Sequence, residues 1–192
     1  MITVKAHADI DIVAATTLYQ HQCIACHGID GVASMPIIPH LAGQLPGYLA
    51  KALRDYQQGM AGVRPNAIML SASHTLTTQD ITNLSAYLST QTPSSGSVPK
   101  SYFDLGQKLY RAGDQKRAIP ACTACHGPAG TGNRDANYPA LTGQHSAYLI
   151  RQLQLFAADI RKSDPKGMMR DIAKRLTPED QLAVAHFING LH

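Results

Sequence analysis

Cys23-Ile24-Ala25-Cys26-His27 and Cys122-Thr123-Ala124-Cys125-His126 are two copies of one pentad, Cys-x-x-Cys-His, and together they use every cysteine in the chain. On a helical turn, positions i, i+3 and i+4 share a face. Cys23 and Cys26 can therefore meet the two vinyl groups of a porphyrin as thioethers. His27 is carried beneath the same ring, where a ring nitrogen can bind iron, and Cys122, Cys125 and His126 repeat the geometry. This pattern is the attachment site of c-type haem, so the expectation is two covalently attached haem c groups and one-electron chemistry. Zinc is the main competitor, because two Cys-x-x-Cys pairs can supply one tetrahedral all-thiolate site. Against zinc, the pairs lie 99 residues apart and each is followed by His. A thiol redox centre would need a βαβ surround, and the flanks of both pentads read as helix.

With all four cysteines assigned, none is left for a structural disulfide. No run of about 18 apolar residues is present, so no transmembrane helix is expected. Met1 to Asp11 is interrupted by Lys5, His7, Asp9 and Asp11 and does not read as a secretory signal. Haem attachment of this kind normally takes place outside the cytoplasm, so a periplasmic protein whose leader has been removed is expected. Residues 1–100 hold 5 Lys/Arg and 5 Asp/Glu, and residues 101–192 hold 12 and 8, which places the whole formal charge of +4 in the second half. There is no dense Lys/Arg run and no basic stripe interleaved with aromatics, which argues against nucleic acid as a partner. A modestly basic second half is suited to steering an acidic redox partner, though a merely solvated surface accounts for it equally well.

The chain is one unit written twice. After the pentads, Pro39-His40-Leu41-Ala42-Gly43-Gln44 answers Pro139-Ala140-Leu141-Thr142-Gly143-Gln144 at an offset of 100. At the same offset Tyr48-Leu49 answers Tyr148-Leu149, Met69 answers Met169, Leu76-Thr77 answers Leu176-Thr177, and Asp80 answers Asp180. Before the pentads, Leu18-Tyr19 matches Leu109-Tyr110, and the second copy inserts eight residues between Tyr110 and Cys122. Thr92 to Pro99 is rich in Pro, Ser and Gly and reads as linker. The expected organisation is a domain over 1–91, a linker over 92–100 and a domain over 101–192. Each half is expected to hold three helices. The first covers about Asp11–Cys26 and Tyr102–Ala112, and the second about Gly47–Gln58 and Ser146–Ile160. The third starts at a Thr cap, Thr77 or Thr78 before Asp80, and Thr177 with Pro178 at the first helical position. Alternating Val/Ile/Thr runs are missing, so the fold class is all-α. Domains of about 90 residues bury little surface alone, and haem is expected to complete each core.

His27 and His126 leave a sixth position on each iron, for which His and Met are the candidates. Of the six methionines only Met69 and Met169 are copies of each other at the repeat offset, and no histidine outside the pentads is paired. Met69 and Met169 are therefore the expected axial ligands, against the ordinary use of Met as a core filler. Met168, adjacent in sequence, is the competing choice in the second half. Thioether ligation favours ferrous iron and raises the potential. A closed six-coordinate iron offers no position to oxygen or peroxide, which suits a carrier and not an enzyme. Pro39 and Pro139 follow their histidines at 12 and 13 residues. Each is either a plain turn proline or the bearer of a carbonyl that accepts from the imidazole Nδ1–H. The repeated Tyr48, Tyr148, Gln44 and Gln144 are expected to pack or to touch a haem edge.

With these features assembled, the chain resembles the dihaem cytochromes c4, from about Leu18 to His192. The resemblance takes in the longer pre-haem segment Arg111 to Ala121 and the ending Ile188-Asn189-Gly190-Leu191-His192. It implies two tandem class I cytochrome c folds, each wrapped around one haem. Thioethers at Cys23, Cys26, Cys122 and Cys125 are implied, with axial pairs His27/Met69 and His126/Met169, and Pro39 and Pro139 supporting the histidines. It further implies a periplasmic, peripherally membrane-associated electron carrier of the respiratory chain. The implied partners are redox proteins: a terminal oxidase or bc1-type membrane complex, and a small cytochrome or copper protein. Two other readings share the pentads. One is the dihaem subunit of a flavocytochrome c sulfide dehydrogenase-type enzyme, and the other is a dihaem peroxidase, which needs one open iron.

Overall fold

The computed structural model describes residues 9–191. Expectations placed on residues 1–8 and on His192, including most of the Met1–Asp11 segment and the histidines His7 and His192, lie outside the described residues.

Each half is a set of helices arranged around its pentad. In the first half these are α1 (Ile12–Gln22), α2 (Ile24–His27), α3 (Pro46–Gln57), α4 (Ala67–Ser73) and α5 (Thr78–Ser89). The second half answers with α6 (Lys100–Ala112), α7 (Thr123–His126), α8 (Ser146–Ala157), α9 (Met168–Arg175) and α10 (Pro178–Asn189). Among the described residues the only β pairing is two isolated bridges, Asp114 with Ile119 and Asn133 with Tyr138. The fold class is all-α.

Local chemistry explains the helix ends. Asp11 caps α1 by accepting from the Ala14 N–H. Thr77 and Thr177 each form a reciprocal capping box with Asp80 and Asp180, so both third helices start where the sequence marks them. Other boundaries move. The first helix does not run through to Cys26: Cys23, stretched to φ −117°, interrupts it and α2 restarts the turn at Ile24. α8 stops at Ala157 because Asp159 adopts φ +54°. α6 begins at Lys100, inside the expected linker. α4 and α9, which carry Met69 and Met169, were not expected as helices at all.

The core of the first half joins Tyr19, Leu49, Leu76, Ile81, Leu84 and Leu88; that of the second joins Leu109, Tyr110, Leu149, Val184, Phe187 and Ile188. Each core is made where the first helix crosses the last, α1 on α5 and α6 on α10. The second crossing is close. A Cβ on Gly106 would lie 2.4 Å from the Ala183 carbonyl oxygen and 2.6 Å from the Phe187 Cβ, and the corresponding residue in the first half is the buried Ala15. The eight-residue insertion folds into a tight turn closed by Asp114 and Ile119, whose N–H groups each donate to the other's carbonyl at 2.8 Å. Arg117 in that turn pairs with Asp114 and with Asp180, which docks the insertion on the cap of α10.

Candidate haem centres

Both pentads close as one helical turn and are pinned by a buried tyrosine. Cys23 N–H donates to the Tyr19 carbonyl, and His27 N–H to the Cys23 carbonyl, each at 2.9 Å, which seats the pentad as a single turn at the end of α1. The ring of Tyr19 is buried and its hydroxyl donates to the Gly28 carbonyl at 2.6 Å; Tyr110 does the same to Gly127 at 2.8 Å. These two tyrosines pin the chain just past each histidine. Their matched register was visible in the sequence, but their role was not. The residue after each histidine must turn sharply. Gly28 and Gly127 sit at φ +77° and +79°, and a Cβ on Gly28 would fall 2.1 Å from the Val32 carbonyl oxygen.

His27 and His126 are 7% and 8% exposed. Their Nδ1 atoms lie 3.0 Å from the Pro39 carbonyl oxygen and 2.9 Å from that of Pro139. With Nδ1–H donating, Nε2 keeps a free lone pair on each ring, which is the form that binds a metal. Burial lowers the pKa of both imidazoles, only partly opposed by those hydrogen bonds, and so favours the neutral ring. All four cysteines are unbridged. Burial pushes the Cys23 and Cys122 thiols up to about 11, and thiolate character is correspondingly disfavoured. Among the described residues no group of three or more His, Cys, Asp or Glu side chains is placed to hold a metal ion.

Met69 is the third residue of α4, and its N–H is capped by the Asn66 side chain at 2.9 Å. Met169 is the second residue of α9. Both are half-buried, whereas their neighbours Ile68 and Met168 are exposed. The Met168 sulfur faces the Tyr138 hydroxyl at 4.0 Å. In each pair the methionine repeated at the offset of 100 is less exposed than the residue before it.

The two halves meet through a polar seam. Arg64 and Arg161 are both buried. An Arg64 N–H donates to the Tyr148 hydroxyl at 3.1 Å and to that of Tyr48 at 3.4 Å, and an Arg161 N–H reaches the same Tyr48 hydroxyl at 3.0 Å. Burial raises the Tyr48 pKa, but the two guanidiniums outweigh it and bring it to about 7. The ion pairs among the described residues include neither guanidinium, and the Arg64 Nε–H is buried without an acceptor. An enclosed guanidinium with an orphaned N–H calls for an anion. Haem supplies one in its propionates, so the free thiols, the oriented imidazoles and this orphaned donor fit that group. Arg64 and Arg161 are not at the repeat offset, and so no sequence signal linked them.

The repeated glutamines also lie on the seam, buried, and each reaches across it. Gln44 Oε1 accepts from the Ala140 N–H and its Nε2–H donates to the Ala140 carbonyl, both at 2.9 Å. Gln144 clasps His40 in the same manner, at 2.9 and 3.0 Å. Beside this second clasp, the rings of His40 and His145 lie 3.9 Å apart between centroids. The Ala33 N–H donates to His40 Nδ1 at 3.1 Å, and His145 Nε2–H donates to the Ala33 carbonyl at 2.9 Å. The symmetry-related positions are Ala140 and Leu45, so the imidazole pair stands on one side of the seam only.

Burial, followed by the nearness of His145, lowers the His40 pKa to about 4. The unfolded chain therefore binds a proton that the folded chain refuses. The contribution is complete above about pH 6.5 and is lost as pH falls through about 4, about 3 kcal/mol at most. Thermal unfolding at pH 7 and at pH 4.5 should show the wild type losing more stability than His40→Ala. Equal losses in the two proteins would remove His40 as the group responsible.

The cytochrome c family profile matches residues 12–92 and 103–192. The chain is 40% identical over 170 residues to cytochrome c4 of Thiocapsa roseopersicina, covering 88% of this chain and 86% of that protein. It is 36% identical over 170 residues to a thiosulfate dehydrogenase electron acceptor of Thiomonas intermedia, covering 86% of this chain and 76% of that one. Among solved structures, reduced recombinant cytochrome c4 from Pseudomonas stutzeri superposes with a TM-score of 0.92 at 37% identity, over 96% of this chain and 100% of that one.

Proposed function

The chain belongs to the dihaem cytochrome c4 family and carries electrons through two covalently attached haem c groups, and we propose that it works as a periplasmic shuttle in a respiratory chain, passing electrons to a terminal oxidase or similar acceptor. In this reading Cys23, Cys26, Cys122 and Cys125 form the thioethers. His27 and Met69 would hold one iron, and His126 and Met169 the other. When bound, each haem supplies a reversible Fe(II)/Fe(III) couple, tuned by its axial ligands. The protein's part is to hold the ligands still. Pro39 and Pro139 accept the Nδ1–H of each histidine, fixing ring orientation and raising basicity. Tyr19 and Tyr110 anchor the turn that carries the histidine, and the seam keeps the halves together. The observation that carries the reading is that imidazole orientation and a half-buried methionine recur in both halves.

No described helix is long and apolar enough to cross a membrane, and we take any membrane contact to be peripheral. Residues 1–91 and 101–192 serve as the two carrier domains, with 92–100 between them. With both irons closed by His and Met, the protein passes electrons without transforming a substrate. A second reading, suggested by the Thiomonas relative, is that a thiosulfate dehydrogenase is the electron donor. Reading ferric and ferrous spectra together with a haem count tests the core of this. Two haems that stay unchanged under carbon monoxide are expected. Carbon monoxide binding to either ferrous haem would point to an open iron and to peroxidase chemistry instead.

A further inference from the structure

We propose that Gln44 and Gln144 are crossed positioning residues, each tuning the haem of the half it does not belong to. The path is a chain of hydrogen bonds through one peptide group. His27 Nδ1–H donates to the Pro39 carbonyl at 3.0 Å, and the His40 N–H of the same peptide unit donates to Gln144 Oε1 at 2.9 Å. On the other side, His126 Nδ1–H donates to the Pro139 carbonyl at 2.9 Å, and the Ala140 N–H of that peptide donates to Gln44 Oε1 at 2.9 Å. An amide whose N–H is engaged carries more negative charge on its oxygen, and linked hydrogen bonds strengthen one another. A stronger acceptor at Nδ1–H makes the imidazole a better donor to iron, which favours the ferric state. Removing the glutamine amide should therefore raise the potential of the haem across the seam.

The glutamines are built for this and do more than fill space. Each carboxamide oxygen also accepts the next N–H in its own chain, Leu45 at 2.9 Å and His145 at 3.1 Å, and each Nε2–H donates to the carbonyl of the clasped residue. Asn189 Nδ2–H holds the Gln144 carbonyl at 3.0 Å. The surroundings differ between the two sides, His40 and His145 against Ala140 and Leu45, while the amide relay is the same. What the duplication has in common at the seam is thus the link to the axial histidine.

The inference rests on His27 and His126 as axial ligands, and the haem-loaded protein tests it. Gln144→Met keeps the bulk and removes the amide. It should raise the potential of the N-terminal haem and move its hyperfine-shifted NMR resonances, leaving the C-terminal haem in place. Gln44→Met should do the reverse. Gln144→Glu and Gln44→Glu put a stronger, charged acceptor on the same peptide N–H and should lower the potential of the haem across the seam; they also serve if a Met variant fails to fold. A shift confined to the variant's own half, an equal shift of both haems, or none in a folded protein overturns the relay. A wild-type spectrum without imidazole ligation at both irons would overturn the axial reading beneath it, which separates the two failures.

Discussion

Met169→Ala should abolish about half of the weak far-red absorption that marks methionine on ferric iron, and lower the potential of the C-terminal haem, while Met168→Ala leaves both in place. Met69→Ala should remove the other half. Met69 and Met169 are the only methionines that copy one another at the repeat offset. Burial agrees, because both are half-buried and Met168 is exposed, with its sulfur against the Tyr138 hydroxyl. Axial ligands span roughly 0.8 V of haem potential. Losing a thioether, which favours ferrous iron, therefore costs a sizeable share of that range. The Ala variant also opens a coordination position, so carbon monoxide should bind the altered haem alone. If Met168→Ala removes the band instead, the ligand assignment in the second half is wrong by one residue.

Chain produced without attached haem, by Cys→Ser at positions 23, 26, 122 and 125, should lose most of its helical circular dichroism and unfold without a sharp urea transition. Each protein core is small, six linked buried residues in the first half and eight in the second. Domains of this size bury a modest share of their surface, and net stability is about 5–15 kcal/mol even in well-packed cases. α4 and α9 are seven and eight residues long. That is well short of the roughly 12–15 residues at which an isolated helix becomes even marginal in water. They hold their shape through what they pack on. Without haem the buried Arg64 Nε–H would keep no acceptor, and an unsatisfied buried donor costs about 1–3 kcal/mol. A haem-free chain with the holoprotein's helicity and a cooperative urea midpoint close to it would show that protein packing alone suffices.

The sequence by itself determined the chemistry and the duplication. The Cys-x-x-Cys-His spacing is local, so the expectation of haem attachment at Cys23, Cys26, Cys122 and Cys125, with His27 and His126 beside it, needed no fold. The repeat offset singled out Met69 and Met169 for the same reason, since duplication keeps position even where structure is unknown. Thr77 and Thr177 marked helix starts because capping acts within one turn. Tertiary structure decided what depends on distance across the chain. α4 and α9 are too short for propensity to announce them. Arg64 and Arg161 converge on Tyr48 from positions that the repeat does not pair, and His40 meets His145 more than a hundred residues away. Gln44 and Gln144 were visible as repeated residues, but only the packing of one half on the other brought them to the Ala140 and His40 backbone across the seam. A hydrogen bond formed between halves leaves no local pattern in either, because its geometry is created by the approach of two surfaces.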